Sequence, residues 1–334
     1  MKTKSRISEL LTSNQAVIIM VLLVLSIAIG LRNNAFVSFS TVVILARAAI
    51  LMLIFALCQM LVIISGGIDV SFPAIACAAM YLPVKMMLNY EIDNLWFPFG
   101  MAILIGAFFG LINAVLIASL RIPPLIATLG MNSLISGGLL AFFGSTELSR
   151  LPDRLNEMFR SYLFTYTASS GLTYSLTILF IIPVVLAIGL SIFLRYTTMG
   201  RGVYAIGGNR SAARIAGFRV IRIQYFVYIF VGAVVGIGAM VSCILNRAAS
   251  PTNLMGSEMM IIAAVVVGGT RITGGHGSVS GTILGVTLIA LIQNNLIMLG
   301  IPTHWQPFIL GFLIVLGTAF TSLKAMASMK QAKV

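Results

Sequence analysis

Few side chains in this sequence have the types and spacing that catalysis or metal binding requires. Cys58, Cys77 and Cys243 all fall inside apolar runs and lack metal-ligand spacing, which is typical of small buried side chains. His276 and His304 lie far apart, in different loops. The apolar runs contain no HExxH motif, no paired acids and no Ser/His constellation. The sequence therefore predicts no catalytic residue, no metal site and no enzyme.

Asp69 is the acid that lies close to long apolar runs on both sides, in the segment Ser65–Pro73 (SGGIDVSFP). A carboxylate at the centre of a membrane helix costs about 2.5–3.5 kcal/mol, so its presence needs a reason. We expect Asp69 or Ser71 to cap the helix that follows, with Pro73 tolerated in its first turn. Contact with a transported solute is the alternative, and the two roles are compatible if the cap lines a pathway.

Amide side chains interrupt several apolar runs, at Gln59, Asn113, Asn132 and the triplet 293–295. An amide offers donors and an acceptor to a hydroxylated solute, but it can equally join two helices. Helix contacts are favoured for any single amide, whereas the three adjacent amides of the triplet point in three directions. The candidate residues of a translocation pathway are therefore Asp69, Ser71, Asn113, Gln293, Asn294 and Asn295.

The segment Gly200–Gly217 (GRGVYAIGGNRSAARIAG) predicts a turn, then a short helix, then a stop. Gly207 and Gly208 permit a tight turn, and Asn209 is a good N-cap. Two turns of helix-forming residues follow, over Arg210–Ala216.

Gly217 suits the left-handed position that ends many helices. Arg210 and Arg214 are four residues apart and share one face, beside the small residues Ala212 and Ala213. A capped helix with a small-residue face and a basic edge is suited to docking in a groove on another protein. An ordinary basic loop that only fixes membrane topology is the alternative, and the residues alone leave both open.

A second glycine-rich stretch, Val267–Thr282, contains six glycines but no lysine. The phosphate-binding pattern GxxxxGK[ST] is absent from it, so we expect a sharp turn between packed segments. The chain has no such pattern elsewhere. If ATP drives its function, a separate subunit must hydrolyse the ATP.

The composition shows what kind of elements must position these residues. Of 334 residues, 59% are hydrophobic and only 9% are charged, whereas soluble domains carry about 25% charged residues. The mean hydropathy of +1.07 excludes a soluble globule. The net charge of +13 arises from basic residues in short loops between apolar runs, which favours a membrane protein and no nucleic-acid partner.

The apolar runs predict an all-α polytopic membrane protein with about ten transmembrane helices in one domain, 1–334. The eighth run is short enough to be a half-helix or a re-entrant piece. The runs cover residues 15–31, 43–64, 70–87, 96–119, 124–144, 172–194, 224–246, 258–270, 279–298 and 305–323.

Charge asymmetry predicts the orientation, with both termini in the cytoplasm. The loop 195–223 is then inside and carries six arginines without an acid, whereas the mixed-charge loop 145–171 is outside. Six of the eight acids fall outside, at Glu91, Asp93, Glu147, Asp153, Glu157 and Glu258.

Small residues at every fourth position predict close helix packing, because lipid gives helices no hydrophobic reason to associate. Gly232 and Gly236 form a short stripe of this kind in the seventh run. The longer stripe, in the fourth run, is Ala102, Gly106, Gly110, Ala114 and Ala118.

The sequence closely resembles the permeases of ribose-, xylose-, galactose- and autoinducer-2-type ABC importers, in a superfamily that includes branched-chain amino acid permeases. One departure is Phe72-Pro73, where many relatives carry Val-Gly. The motifs that carry the resemblance are SGGIDVS (Ser65–Ser71), IPPLIATLG (Ile122–Gly130), the segment Gly200–Gly217, AAVVVGGT (Ala263–Thr270) and GGHGSVSGT (Gly274–Thr282).

The resemblance implies a multi-pass permease of the bacterial inner membrane that works with a second permease copy or a paralogue. It implies ATPase subunits that bind the ATP, a periplasmic solute-binding protein, surrounding membrane lipid and no cofactor of the chain's own. It also implies a helix that couples to the ATPase, formed by Gly207, Gly208, Asn209, Arg210, Ala212, Ala213, Arg214 and Gly217.

The expected function is translocation of a monosaccharide or a similar small polar solute. A branched-chain amino acid or nucleoside ABC permease is one alternative. A secondary transporter is another, although such carriers usually need ionisable residues at mid-membrane depth, where Asp69 is the candidate.

Overall fold

Long apolar helices dominate the structure, a computed structural model that describes residues 14–168, 171–306, 308–309, 311–312 and 315. Short 3-10 and π segments adjoin several of the helices. The twelve α-helices of the described residues are α1 Asn14–Arg32, α2 Phe39–Ile64, α3 Phe72–Asn89, α4 Trp96–Ala114, α5 Pro124–Phe143, α6 Asp153–Phe159, α7 Ile181–Tyr196, α8 Thr198–Gly208, α9 Arg210–Ile215, α10 Val220–Asn246, α11 Glu258–Val267 and α12 Val279–Asn295.

Eight of these helices, within the part of the chain that the structure describes, are long and apolar enough to cross a membrane. They are α1 to α5, α7, α10 and α12, and they match eight of the ten predicted runs. The run 258–270 contains only the ten-residue helix α11, so it is a half-helix. Most of the last predicted run, 305–323, lies outside the described residues.

A β-hairpin, which the sequence analysis did not predict, lies in the loop between α6 and α7 of this mainly helical protein. Strand β1, Tyr162–Thr167, pairs antiparallel with β2, Thr173–Thr177. Both segments are rich in aromatic and β-branched residues, which favour strands. The predicted span 172–194 therefore begins later, at the 3-10 turn Ile178–Phe180 that leads into α7.

Helices α4 and α10 pack through the predicted small-residue stripes. A Cβ atom added to Gly106 would overlap the carbonyl group of Gly232, and one added to Gly236 would overlap that of Ala102. The two backbones are therefore in direct contact, which only residues without a side chain allow. This confirms the prediction of close packing and shows that the two stripes face each other.

The helices differ in burial. Most of α3 and α10 is buried inside the protein, whereas α1, α5 and α7 leave most of their residues exposed. Since the exposed side chains are largely apolar, these three helices have the apolar outer faces that are expected of membrane-spanning helices.

Successive loops lie at opposite ends of the helix bundle, as expected for membrane helices that alternate in direction. At one end, Arg154 pairs with Asp93 at 3.4 Å, and Leu148 pairs with Ala249 through backbone hydrogen bonds. At the other end, the backbone N–H of Gly275 donates to the carbonyl of Ile64 at 2.9 Å. We refer to this second end, which carries the loop 195–223, as the inner face.

Candidate coupling surface and translocation pathway

Helix α9 on the inner face has the boundaries that its sequence predicts. Asn209 has an extended backbone, and its Oδ1 accepts a hydrogen bond from the backbone N–H of Ala212 at 2.9 Å. Gly217 adopts a left-handed conformation with φ +87°, and the N–H of Phe218 then donates to the carbonyl of Ala213. Both ends of this short helix are thus fixed by local hydrogen bonds.

Only one side of α9 touches the rest of the protein. Ala213 is 3% exposed and packs into the main core, whereas Arg210, Ala212 and Arg214 are exposed. Ile215 is 89% exposed, and the sequence pattern did not single it out. Its position three residues after Ala212, on a helix otherwise made of small and basic residues, is the signal that could have identified it. The free side of α9 therefore combines apolar and basic groups.

The predicted turn at Gly207 and Gly208 is wrong, because both residues form the last turn of α8. The sequence analysis did not predict α8, which begins after Thr197, whose hydroxyl caps the helix by accepting from the N–H of Gly200 at 2.9 Å. Gly207 is required for close packing instead: a Cβ there would overlap the carbonyl oxygen of Ile64. Gly208 has nothing within 4 Å of its Cβ position.

Three segments meet at Gly207, in a contact that we call the glycine junction and that comprises Ile64, Gly66, Gly207, Gly274 and Gly275. A Cβ on Gly207 would also lie 2.6 Å from the N atom of Gly275. Gly274 and Gly275 have φ values of +88° and +71°, in the sharp turn that the sequence predicts for this stretch. The glycine junction thus connects α8 to the end of α2 and to the turn between α11 and α12.

Asp69 lies in a buried polar cluster at the inner end of α3, and its side chain is 2% exposed. Its Oδ1 accepts from the backbone N–H of Ser71 at 2.8 Å and from the Ser71 hydroxyl at 2.6 Å. The Ser71 hydroxyl in turn accepts from Nδ2 of Asn113, on α4, at 2.8 Å. Thr128 on α5 bridges the same segment, accepting from the N–H of Val70 at 3.2 Å. The cluster therefore ties the segment between α2 and α3 to α4 and α5.

Of the two predicted caps, the geometry favours Asp69. The Ser71 side chain makes no cap bond within α3, whereas Asp69 accepts from the backbone N–H groups of Ser71 and of Phe72, the first residue of the helix. Pro73 does lie in that first turn, as expected. No basic side chain of the described residues forms an ion pair with Asp69. Burial raises the pKa of Asp69 above its ordinary value, although the hydrogen bonds from Ser71 act in the opposite direction.

Several buried polar atoms of the helix bundle have no hydrogen-bond partner among the described residues. They include Oδ1 of Asn113, the hydroxyl of Tyr228 and both amide atoms of Gln59. The Tyr228 hydroxyl lies against Gly67, where an added Cβ would overlap it. The sequence analysis favoured a helix contact for any single amide. Gln59 makes no such contact, because neither of its amide atoms has a partner among the described residues. Unsatisfied buried groups of this kind mark a place where a polar ligand or water can bind.

The three amides of α12 point in different directions, as predicted. The Nδ2 atoms of Asn294 and Asn295 donate to the carbonyls of Ala290 and Leu291 in their own helix, at 2.8 and 3.2 Å. Nε2 of Gln293 contacts the sulfur of Met260 at 2.7 Å.

The structure does not bring these amides to the Asp69 cluster. Gln293 lies 14 residues after the start of α12, or about 21 Å along the helix from the inner face at 1.5 Å per residue. The predicted pathway residues thus form two groups, one at the inner end and one deeper in the bundle.

Glu258 is placed deeper than the outer loop predicted for it. It lies in the first turn of α11, a helix about 15 Å long whose other end packs at Gly268 against Gly281 near the inner face. That length is about half of a 30 Å hydrocarbon core. Glu258 is half-buried, and its Oε2 has no hydrogen-bond partner among the described residues. The shortness of the apolar run was the signal for this second acid within the bundle.

The described helices therefore enclose polar groups at two depths, and a capped basic helix projects from their inner face. This arrangement defines a polytopic membrane transport subunit. The chain belongs to the family described as the permease component of branched-chain amino acid transport systems, whose family model matches residues 40–317. It is a multi-pass protein of the bacterial inner membrane, and it is a transport subunit rather than an enzyme.

Several characterised permeases are similar to this chain over most of its length. The fructose import permease protein FruG of Bifidobacterium longum is 30% identical over 92% of this chain and 89% of its own length. The galactose/methyl galactoside import permease protein MglC of Haemophilus influenzae is 32% identical over 78% of each chain. The autoinducer 2 import system permease protein LsrC of Yersinia pseudotuberculosis is 30% identical over 90% of this chain and 82% of its own. No solved structure matches the chain.

Proposed function

We propose that this chain is the membrane-spanning subunit of a bacterial ABC importer for a monosaccharide or a similar small polar solute. The similar permeases named for fructose, galactose or methyl galactoside, and autoinducer 2 import support this class of solute. The chain has no phosphate-binding loop, so separate ATPase subunits on the inner face hydrolyse the ATP. A periplasmic solute-binding protein delivers the solute, and a second permease copy or a paralogue completes the pathway.

The observation that carries the proposal is the exposed side of α9. Its apolar and basic groups project from the inner face, while Ala213 and the caps at Asn209 and Gly217 fix the helix to the protein. We assign the coupling role to the predicted residues and add Ile215. Gly207, Ala213 and Gly217 hold the helix in position, and the exposed residues that contact the ATPase are Gly208, Asn209, Arg210, Ala212, Arg214 and Ile215.

The glycine junction supports a route by which ATPase closure is transmitted. A rotation of α8 and α9 cannot leave Ile64 and Gly275 in place, because backbone atoms are in direct contact there. The movement is therefore passed to α2 and to the turn between α11 and α12. The permease supplies an element with two conformations, and the ATPase biases the equilibrium between them.

The pathway for the solute is assigned to the two groups of polar side chains. Asp69, Ser71 and Asn113 form the inner group, in which unsatisfied buried atoms remain for a polar solute or water. The deeper group comprises Gln293, Asn294, Asn295 and Glu258, beside the break that precedes α11. Discontinuous helices of this kind frequently line solute sites in transporters.

Charge reversal on α9 tests the coupling assignment. Arg210→Glu combined with Arg214→Glu is expected to reduce co-purification of the ATPase subunit, and ATP-dependent uptake, at least tenfold, because two favourable charges become repulsive. Arg201→Glu combined with Arg222→Glu is the matched control, since both residues are exposed in the same loop but lie outside α9. Normal ATPase binding and uptake by the first double variant would overturn the coupling assignment.

The solute is tested separately, with the cognate binding protein. A thermal-shift screen of that protein is expected to respond to a monosaccharide or a similar polyol. A response only to branched-chain amino acids or nucleosides would replace the solute class and leave the transport mechanism standing.

A further inference from the structure

A cavity of about 560 Å³ opens on the inner face beside the coupling helix. Its walls come from the end of α4, the loop after it, helix α9 and the first turn of α10. Four arginines line it, Arg121, Arg210, Arg214 and Arg219, and no acidic side chain does.

The four guanidinium groups are not neutralised by the protein. All four side chains are exposed, and none forms an ion pair or a hydrogen bond with a described residue. Like charges around one cavity repel one another, so the arrangement favours an anion that enters between them. A phosphate group suits arginine especially well, because the planar guanidinium can donate two parallel hydrogen bonds to it.

The rest of the cavity wall is largely apolar, with Ile117, Phe218 and Ile221 among its lining residues. Apolar side chains continue beyond it onto the surface of the bundle, where Leu120 is 63% and Ile221 is 50% exposed. Leu120 follows the end of the candidate membrane span Trp96–Ser119, and Ile221 lies at the start of the candidate span Val220–Asn246. The ends of spans of this length are expected near the lipid headgroups. The cavity thus matches a ligand that has an anionic head and an apolar tail.

The backbone at Arg121 supports a binding role. Arg121 has φ +59°, a left-handed conformation that is unfavourable for a residue with a Cβ. The preceding turn, Val115–Ser119, is a π-helix, and π-turns are frequent at functional sites. Backbone strain of this sort persists where the surrounding structure holds a side chain at a working position.

We infer that this cavity binds the phosphate headgroup of an anionic phospholipid from the inner leaflet, with phosphatidylglycerol as the probe. A carboxylate on the ATPase would satisfy the arginines but leave the apolar wall without a partner, and so the lipid is the better match. Because Arg210 and Arg214 belong to α9, a bound lipid connects the coupling helix to the membrane surface. This inference does not depend on which solute the protein transports.

The test is lipid titration of the purified full-length protein in a neutral detergent. Phosphatidylglycerol is expected to raise the melting temperature saturably, and phosphatidylcholine is not. Arg121→Gln combined with Arg219→Gln, which leaves α9 intact, is expected to weaken the apparent affinity about tenfold or more. Arg195→Gln is the control, an exposed arginine of the same face that lines a different cavity.

A charge-conserving variant and native mass spectrometry provide two further tests of lipid binding. Arg121→Lys combined with Arg219→Lys keeps the charge and should retain much of the effect, so it separates lost binding from misfolding. Native mass spectrometry of the unaltered protein should show phosphatidylglycerol retained in preference to phosphatidylcholine. Equal effects of the two lipids, or an equal effect of inorganic phosphate, would overturn the inference. So would a glutamine variant that loses ATPase binding but still binds phosphatidylglycerol normally.

Discussion

At the scale of single residues, Asp69 has the most demanding environment among the proposed pathway residues. Its carboxylate is buried, and its contacts are the Ser71 N–H and hydroxyl rather than a cation. The Ser71 hydroxyl also accepts a hydrogen bond from Asn113, and so it links Asp69 to α4. An asparagine at position 69 would keep an acceptor for Ser71 and would remove the charge. The negative charge and the hydrogen bonds of Asp69 can therefore be tested separately.

Asp69→Asn is expected to stabilise the protein in a pH-dependent way. Burial raises the pKa of Asp69 in the folded state above the unfolded value of about 3.9, so the folded protein holds this proton more tightly. Wild-type stability therefore falls as the pH rises from about 4 through the folded pKa, whereas the variant escapes this loss. The melting temperature of the variant should exceed that of the wild type at pH 7.5, and the gap should shrink towards pH 4.5.

Asp69→Ala provides the comparison for the hydrogen bonds. It leaves the buried Ser71 donors without an acceptor, which costs about 1–3 kcal/mol, so its melting temperature should be lower than wild type at both pH values. A pH-independent gap between Asp69→Asn and the wild type would show that burial does not raise the pKa of this carboxylate.

At the scale of elements, the glycine junction determines how α8 can move. Gly207 brings the end of α8 against the last carbonyl of α2 and the backbone of Gly275, so three segments share one contact. The Cβ position of its neighbour Gly208 faces open space, and Gly208 does not need a positive φ. The two adjacent glycines therefore form a matched pair for a test of close packing.

Gly207→Ala is expected to destabilise the protein by about 3 kcal/mol or more, because its Cβ would overlap backbone that cannot yield cheaply. Gly208→Ala should change stability by less than about 1 kcal/mol, since its Cβ meets open space. Thermal unfolding of both purified variants measures the difference. Equal losses would show that this contact does not hold α8 against α2.

How much of these elements could be predicted depends on the range of the interactions that form them. Asn209 and Gly217 act within four residues of their own helix, so the sequence predicted both ends of α9. The role of Gly207 depends on Ile64 and Gly275, which are distant in the chain, and the pattern therefore indicated a turn instead. The stripes of α4 and α10 predicted close packing, but not that the two helices pack against each other.

The sequence analysis missed the hairpin and the depth of Glu258. Both strands carry aromatic and β-branched residues that favour strands, but residues 173–177 continue into an apolar run and were therefore assigned to a membrane span. The depth of Glu258 depends on where the half-helix α11 ends against α12.

At the scale of the whole molecule, the described helices belong to a transport subunit, and the ATP is hydrolysed by separate subunits. The exposed outer faces of α1, α5 and α7 leave room for lipid and for a second membrane subunit, and the exposed side of α9 leaves room for the ATPase. Glu258 adds a second acid inside the bundle, which is the feature that a proton-coupled carrier would need. Transport assays of the reconstituted protein distinguish ATP hydrolysis from a proton gradient as the energy source.

The purified chain, reconstituted alone in liposomes, is therefore expected to accumulate no solute above its external concentration, with or without a proton gradient. Adding the ATPase subunits, the binding protein and ATP should produce accumulation, because only ATP binding and hydrolysis bias the conduit between its two conformations. Radiolabelled solute uptake measures both conditions. An uncoupler should leave the ATP-driven uptake unchanged, and Glu258→Gln should not make it depend on a gradient. Accumulation by the chain alone that collapses with the uncoupler would instead identify a secondary transporter, with Glu258 or Asp69 carrying the proton.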